Sequence, residues 1–146
     1  MFQEANDQLE NIDPFSRAAP EILAVRIAVY YGLKKWELMR EIAKRLAEFQ
    51  PNDSQWTISL AYATRRPDSI QAAKEILLNA DSKFPKEPDV KYNLACYYCQ
   101  LGEIEYAKRY LKQCFEIDST LRLQALDDED LDLYGIRFNW SHCARR

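Results

Sequence analysis

Few residues of this chain have the type and spacing to do chemistry, and they fall into three groups. Cys96 and Cys99 form a C-x-x-C. Redox versions of that motif sit at a helix N-terminus, where the dipole lowers the thiol pKa. Here the pair falls in the latter half of a predicted helix, and cysteine otherwise behaves as a small hydrophobe. A structural zinc would need two more ligands. His142 and Cys143 lie far along the chain, and Cys114 is expected to be buried, so no metal site is expected. His142 is the one histidine, four residues from the last, so a Ser-His-Asp or Cys-His nucleophile would depend on it alone. The acidic run Asp127-Asp128-Glu129-Asp130-Leu131-Asp132 lacks the ligand order of a calcium loop, and reads as a solvated capping segment. None of the three groups assembles catalytic machinery or a metal site.

Composition narrows the classes further. The chain has 146 residues, a net charge of −3 and three glycines, one domain's worth of ordinary globular composition. Gly32, Gly102 and Gly135 are too far apart for a Walker loop or a G-x-G-x-x-G turn, so no nucleotide cofactor is expected. The acidic run holds five of the 23 acids; without it 18 acids face 20 bases. Lys34, Lys35, Arg40, Lys44 and Arg45 are diluted by Glu37, Glu41 and Glu48, which argues against nucleic acid as a partner. No apolar run is long enough to span a membrane, and the first residues are polar and acidic, unlike a signal peptide. A cytoplasmic location is the expectation.

The elements that must position these residues follow a period. Pro51 and Pro85 are 34 residues apart, and segments 20–53, 54–87 and 88–121 align without gaps. Met39, Ala73 and Ala107 share a column; so do Leu46, Ala80 and Cys114, and Ile27, Ala61 and Ala95. Trp36, Ile70 and Ile104, then Ala43, Leu77 and Leu111, complete five. Within each unit apolar residues recur at i, i+3, i+4 and i+7, as in Leu94-Ala95-Tyr98-Leu101 and Ile104-Ala107-Leu111, which predicts two helices per unit. The turns hold Leu33-Lys34-Lys35, Arg66-Pro67-Asp68 and Leu101-Gly102-Glu103, with Pro67 and Gly102 as helix breakers and Asp68 as an N-cap.

This arrangement resembles the tetratricopeptide repeat family, through its period, its helix-turn-helix unit and its small-residue columns. Tyr92-Asn93-Leu94-Ala95-Cys96-Tyr97-Tyr98, Leu101-Gly102, Tyr106-Ala107 and Cys114 carry the closest copy. Ala95 replaces the usual Gly, Leu111 the Phe and Ser119 the final Pro, while the first unit has Arg26 where Leu is usual. The resemblance implies an all-α, right-handed α-solenoid, with a half-repeat or N-terminal cap at 2–19 and repeats at 20–53, 54–87 and 88–121. Capping helices would fill 122–134, the first N-capped by Ser119, with a tail at 135–146 whose Phe138 and Trp140 could fold back.

In the family the first helices line a concave groove. By position alone, the resemblance implies ligand-facing places at Glu21, Ala24, Ala28, Tyr31 and Gly32, at Gln55, Ile58, Tyr62, Arg65 and Arg66, and at Asp89, Tyr92, Cys96, Cys99 and Gln100. The partner-binding set that the resemblance implies is therefore Tyr31, Tyr62, Arg65, Arg66, Tyr92, Cys96 and Cys99, in which the tyrosines would offer amphipathic contact surface and Arg65 and Arg66 the cationic centre. Only Asn93 matches the clamp by which chaperone-binding members grip a terminal carboxylate, so that ligand is disfavoured. The expectation is a non-catalytic, monomeric module without cofactors that docks a peptide or protein segment. The alternative is a dimeric secretion-type chaperone that uses residues 2–13 as its interface.

Overall fold

The computed structural model describes residues 1–66 and 68–131. Among them the chain is all-helical, with eight α-helices, two short 3₁₀ turns and no strand. In order they are α1 (Phe2–Glu10), α2 (Pro20–Gly32), α3 (Trp36–Phe49), α4 (Ser54–Thr64), α5 (Ile70–Lys83), α6 (Pro88–Gln100), α7 (Ile104–Ile117) and α8 (Leu121–Asp127). The 3₁₀ turns are Ser16–Ala18 and Glu129–Leu131. Helices start at Pro20, Ser54 and Pro88, and again at Trp36, Ile70 and Ile104, at intervals of 34 residues. The expected helix breaker Pro67, the remainder of the capping segment and tail from Asp132 onward, and with them Gly135, Phe138, Trp140, His142 and Cys143, lie outside the described residues.

Local chemistry sets the helix ends. Pro20 and Pro88 occupy first helical positions, where a missing N–H costs nothing. The Asp53 carboxylate accepts from the Gln55 amide at 3.0 Å and caps α4. At the start of α5 the sequence favours Asp68 as the cap, but the Ser69 hydroxyl accepts the Ala72 amide at 3.0 Å. The Asp68 carboxylate turns instead to Arg40, at 2.8 Å. Nor does Ser119 cap α8: Thr120 precedes the helix and makes no side-chain capping bond, because its amide and hydroxyl both turn to the Asp118 carboxylate.

The α2–α3 and α6–α7 turns are built alike. Lys34 N–H donates to Tyr31 O and Lys35 N–H to Tyr30 O; Gly102 N–H donates to Cys99 O and Glu103 N–H to Tyr98 O. This is the paired 5→2 and 6→1 bonding of a Schellman ending. It puts the first residue of each pair in the left-handed region, Lys34 at φ 56° and Gly102 at φ 77°.

The chain divides after Ala72 into two compact units. In the first, Leu23, Ile27, Val29 and Tyr30 of α2 bury against Met39, Ala43 and Leu46 of α3, with Leu9 of α1 and Ala63 of α4 in the same cluster. The Phe2 ring lies against the α2 backbone so closely that a Cβ on Gly32 would fall 2.6 Å from its atoms. Arg26, at the position where the resemblance would place Leu, is buried because it reaches α1: Nη1 pairs with Glu10 at 2.8 Å and Nη2 donates to Leu9 O. In the second unit the columns of small and large apolar residues are wholly buried: Ala73, Leu77, Ala95, Ala107, Leu111 and Cys114. Its two buried lysines are paired, Lys74 with Glu103 at 2.8 Å and Lys91 with Asp81 at 2.7 Å. No helix among the described residues is long and apolar enough to cross a membrane.

Candidate functional site

In the first unit the end of α2, the start of α3 and the end of α4 bring three aromatic rings together. Tyr31 and Tyr62 lie 5.4 Å apart between centroids, and Trp36 meets Tyr31 at 6.0 Å and Tyr62 at 5.9 Å, both edge-on. Edge-to-face contacts suit the ring quadrupoles, so the three hold one another in place. Above them the Arg66 guanidinium sits 4.3 Å from the Trp36 centroid and 5.1 Å from that of Tyr62, with Arg65 5.2 Å from Tyr62. These cation–π contacts hold the guanidinium against the rings, and Arg66 also hydrogen-bonds the Tyr62 hydroxyl. Tyr31 remains 50% exposed.

The phenols report the same geometry. Burial pushes the Tyr62 hydroxyl up, but hydrogen bonds from Arg66 and Tyr31 and the charges of Arg66 and Arg65 outweigh it and hold the pKa below its usual value. Tyr31, which donates, is raised by that hydrogen bond and by the charge its neighbour would carry. Beside the rings is a depression of about 300 Å³ whose lining includes Ala24, Ala28, Tyr31, Gln55, Ile58 and Tyr62. Small side chains on α2 leave the room, and the tyrosines give the rim its polar atoms. This is a surface that accepts an aliphatic or aromatic side chain and presents cations beside it.

The other expected contacts lie in the second unit and are covered. Tyr92 and Cys96 are 4% exposed and Cys99 is wholly buried, because the turn Glu129–Leu131 folds onto α6. Leu131 is 1% exposed. The Tyr92 hydroxyl donates to Asp128 Oδ2 at 2.7 Å, and Asp128 Oδ1 accepts the Asp130 amide at 2.9 Å. The acidic run is thus not uniformly solvated: Asp127 and Glu129 are exposed, while Asp128 and Asp130 are half-buried against α6. Sequence reasoning missed this contact; the one signal was Leu131 inside a charged run.

Ligand atoms of Cys96, Asp128 and Asp130 lie within 4.8 Å of one another, close enough to share a cation. The oxygens of Asp128 already serve the Tyr92 hydroxyl, the Asp130 amide and, at 4.0 Å, the Cys96 thiol, so the grouping is accounted for as a clasp. Burial raises the Cys99 thiol, as do the charges of Asp130 and Asp128. Burial likewise pushes Cys114 up to about 12. Thiols held protonated are poor nucleophiles.

No family model matches the chain, and no curated protein is significantly similar to it.

Proposed function

We propose that the chain is a non-catalytic, tetratricopeptide-like interaction module, monomeric and cytoplasmic, that docks a segment of a partner protein on the aromatic surface of its first unit. One observation carries this reading: the rings of Tyr31, Trp36 and Tyr62 are packed together beside an apolar depression, with the Arg65 and Arg66 guanidiniums over them. Rigid aromatic anchors and Arg are the groups in which binding energy concentrates, and ordering them beforehand lowers the entropy lost on docking. The helix starts at intervals of 34 residues support the repeat reading, and the small, buried columns are what such a stack needs. The docking of α1 on α2 through buried Leu9, the Arg26–Glu10 pair and the Phe2–Gly32 contact favours a capping role for residues 2–13 over a dimer interface.

The test is a lysate capture comparing the wild-type chain with a Tyr62→Ala, Arg65→Ala, Arg66→Ala variant of matched helicity, read by mass spectrometry. Partners retained by the wild type are expected to be lost from the variant. Identical partner sets would overturn the reading.

A further inference from the structure

At the α2–α3 turn the first unit has a second depression, of about 360 Å³, lined by Lys34, Lys35, Trp36, Glu37, Leu38 and Arg66. Three of these six are cations and one is an acid. Among the described residues none of the three cations has an ion-pair partner, whereas the buried Arg26, Lys74 and Lys91 each have one. Lys34 also holds its place against the backbone. Its φ of 56° is unfavourable for any residue with a Cβ, and the matching ending of α6 uses Gly102 there. A glycine would close the turn with less strain, but only a side chain brings charge to this depression.

The two depressions adjoin through the aromatic wall. Tyr31 and Tyr62 line the first, Trp36 and Arg66 the second, and the rings are in contact. Building on the docking reading above, we propose that the partner segment is an acidic peptide stretch: an aliphatic side chain sits in the depression beside Ala24, Ala28 and Ile58, and neighbouring Asp or Glu carboxylates meet Lys34, Lys35 and Arg66. Beyond its hydrogen bond to the Tyr62 hydroxyl, the Arg66 guanidinium has further N–H donors that suit a carboxylate. Unpaired lysines at the rim steer an acidic partner and select against basic ones. Nucleic acid fits less well, because Glu37 stands among the cations and the adjoining depression is apolar.

A random peptide library displayed on phage and selected against the intact chain tests this. The tightest selected sequence is then made as a fluorescent peptide, with a second version carrying Asn and Gln for Asp and Glu. Selected sequences are expected to place at least two acids near an aliphatic residue. Affinity for the acidic peptide is expected to fall about tenfold or more in a Lys34→Gly, Lys35→Gln variant, and to fall with rising salt in the wild type. That variant keeps its turn, since it gains the glycine that the α6 ending already uses. Equal binding by wild type and variant, or selection of peptides without acids, overturns the inference. If Tyr62→Ala still weakens those peptides, the docking surface itself survives. If nothing is selected, or Tyr62→Ala changes nothing, the docking reading fails and this inference with it.

Discussion

The two units use the same helical frame and finish it in opposite ways. At matching places along α2 and α6, Tyr31 is 50% exposed and Cys99 is wholly buried. In the first unit the aromatic residues end at a surface under arginines. In the second, Tyr98 stacks on Tyr106 and Tyr110 at 5.2 and 5.5 Å, and the cations beside them, Lys74 and Lys91, are neutralised by Glu103 and Asp81. The face of α6 that carries Tyr92, Cys96 and Cys99 is occupied by the chain itself, through Asp128 and Leu131. A helical pair is therefore closed or left open according to what covers it. The residue types alone do not decide it, since tyrosines and basic side chains occur in both units.

The largest expected effect follows from that cover. Leu131→Ala removes a buried side chain that holds the acidic turn on α6, at a cost of about 3 kcal/mol, and should speed alkylation of Cys96 and Cys99. Tyr31→Ala, on the half-exposed wall, is expected to cost about 1 kcal/mol or less. Urea unfolding of both variants, with thiol labelling of the first, measures the difference. Equal costs would remove the distinction between a covered unit and an open one.

A second contrast is in pH. The Cys114 thiol is shielded from solvent, and burial pushes its pKa from 9.0 up to about 12. Above about pH 9 the unfolded chain releases this proton while the folded chain keeps it. The folded state therefore binds more protons, and stability falls as pH rises between about 9 and 12. The slope is about 1 kcal/mol per pH unit once partial solvent screening is allowed for. Below pH 9 both states hold the proton and the effect is absent. Cys114→Ala, which places in this column the residue that Ala80 supplies one period earlier, should flatten the alkaline decline. Urea unfolding of both chains at about pH 8 and pH 10.5 checks this; parallel declines would mean that the thiol does not contribute.

The repeat columns made much of the helical frame legible, because a helical period and small apolar residues report burial directly. Ala43, Ala73 and Ala107 are expected inside from the sequence and are fully buried. Tyr62, Arg65 and Arg66 could be named as a group only through the resemblance, which places them by position on one helix. Three features were not legible, and each depends on a partner distant in sequence. Arg26 reads as a departure from the repeat until Glu10, sixteen residues earlier, is found beside it. Asp128 reads as a solvated acid until it meets Tyr92, 36 residues away. Trp36 reads as a core residue, and it does pack against the core, but its other face carries Arg66. Composition and periodicity report which side of a helix is buried; they do not report which charged groups from other helices arrive there.

The smallest effect is the most direct test of the paired turns. Lys34 and Gly102 occupy the same place in two endings with the same hydrogen bonds, yet only one has a Cβ at positive φ. Lys34→Gly removes the left-handed penalty of about 1 kcal/mol, while the added backbone freedom of the unfolded chain offsets part of it. A net stabilisation of about 0.5 kcal/mol is expected. Gly102→Ala imposes the penalty where it is now absent and should destabilise by about 1 kcal/mol. Thermal melts of the two variants should therefore move in opposite directions from the wild type. If Lys34→Gly lowered the melting temperature instead, the lysine would be contributing contacts to the folded chain itself, and its strain could no longer be assigned to a charge kept for a partner.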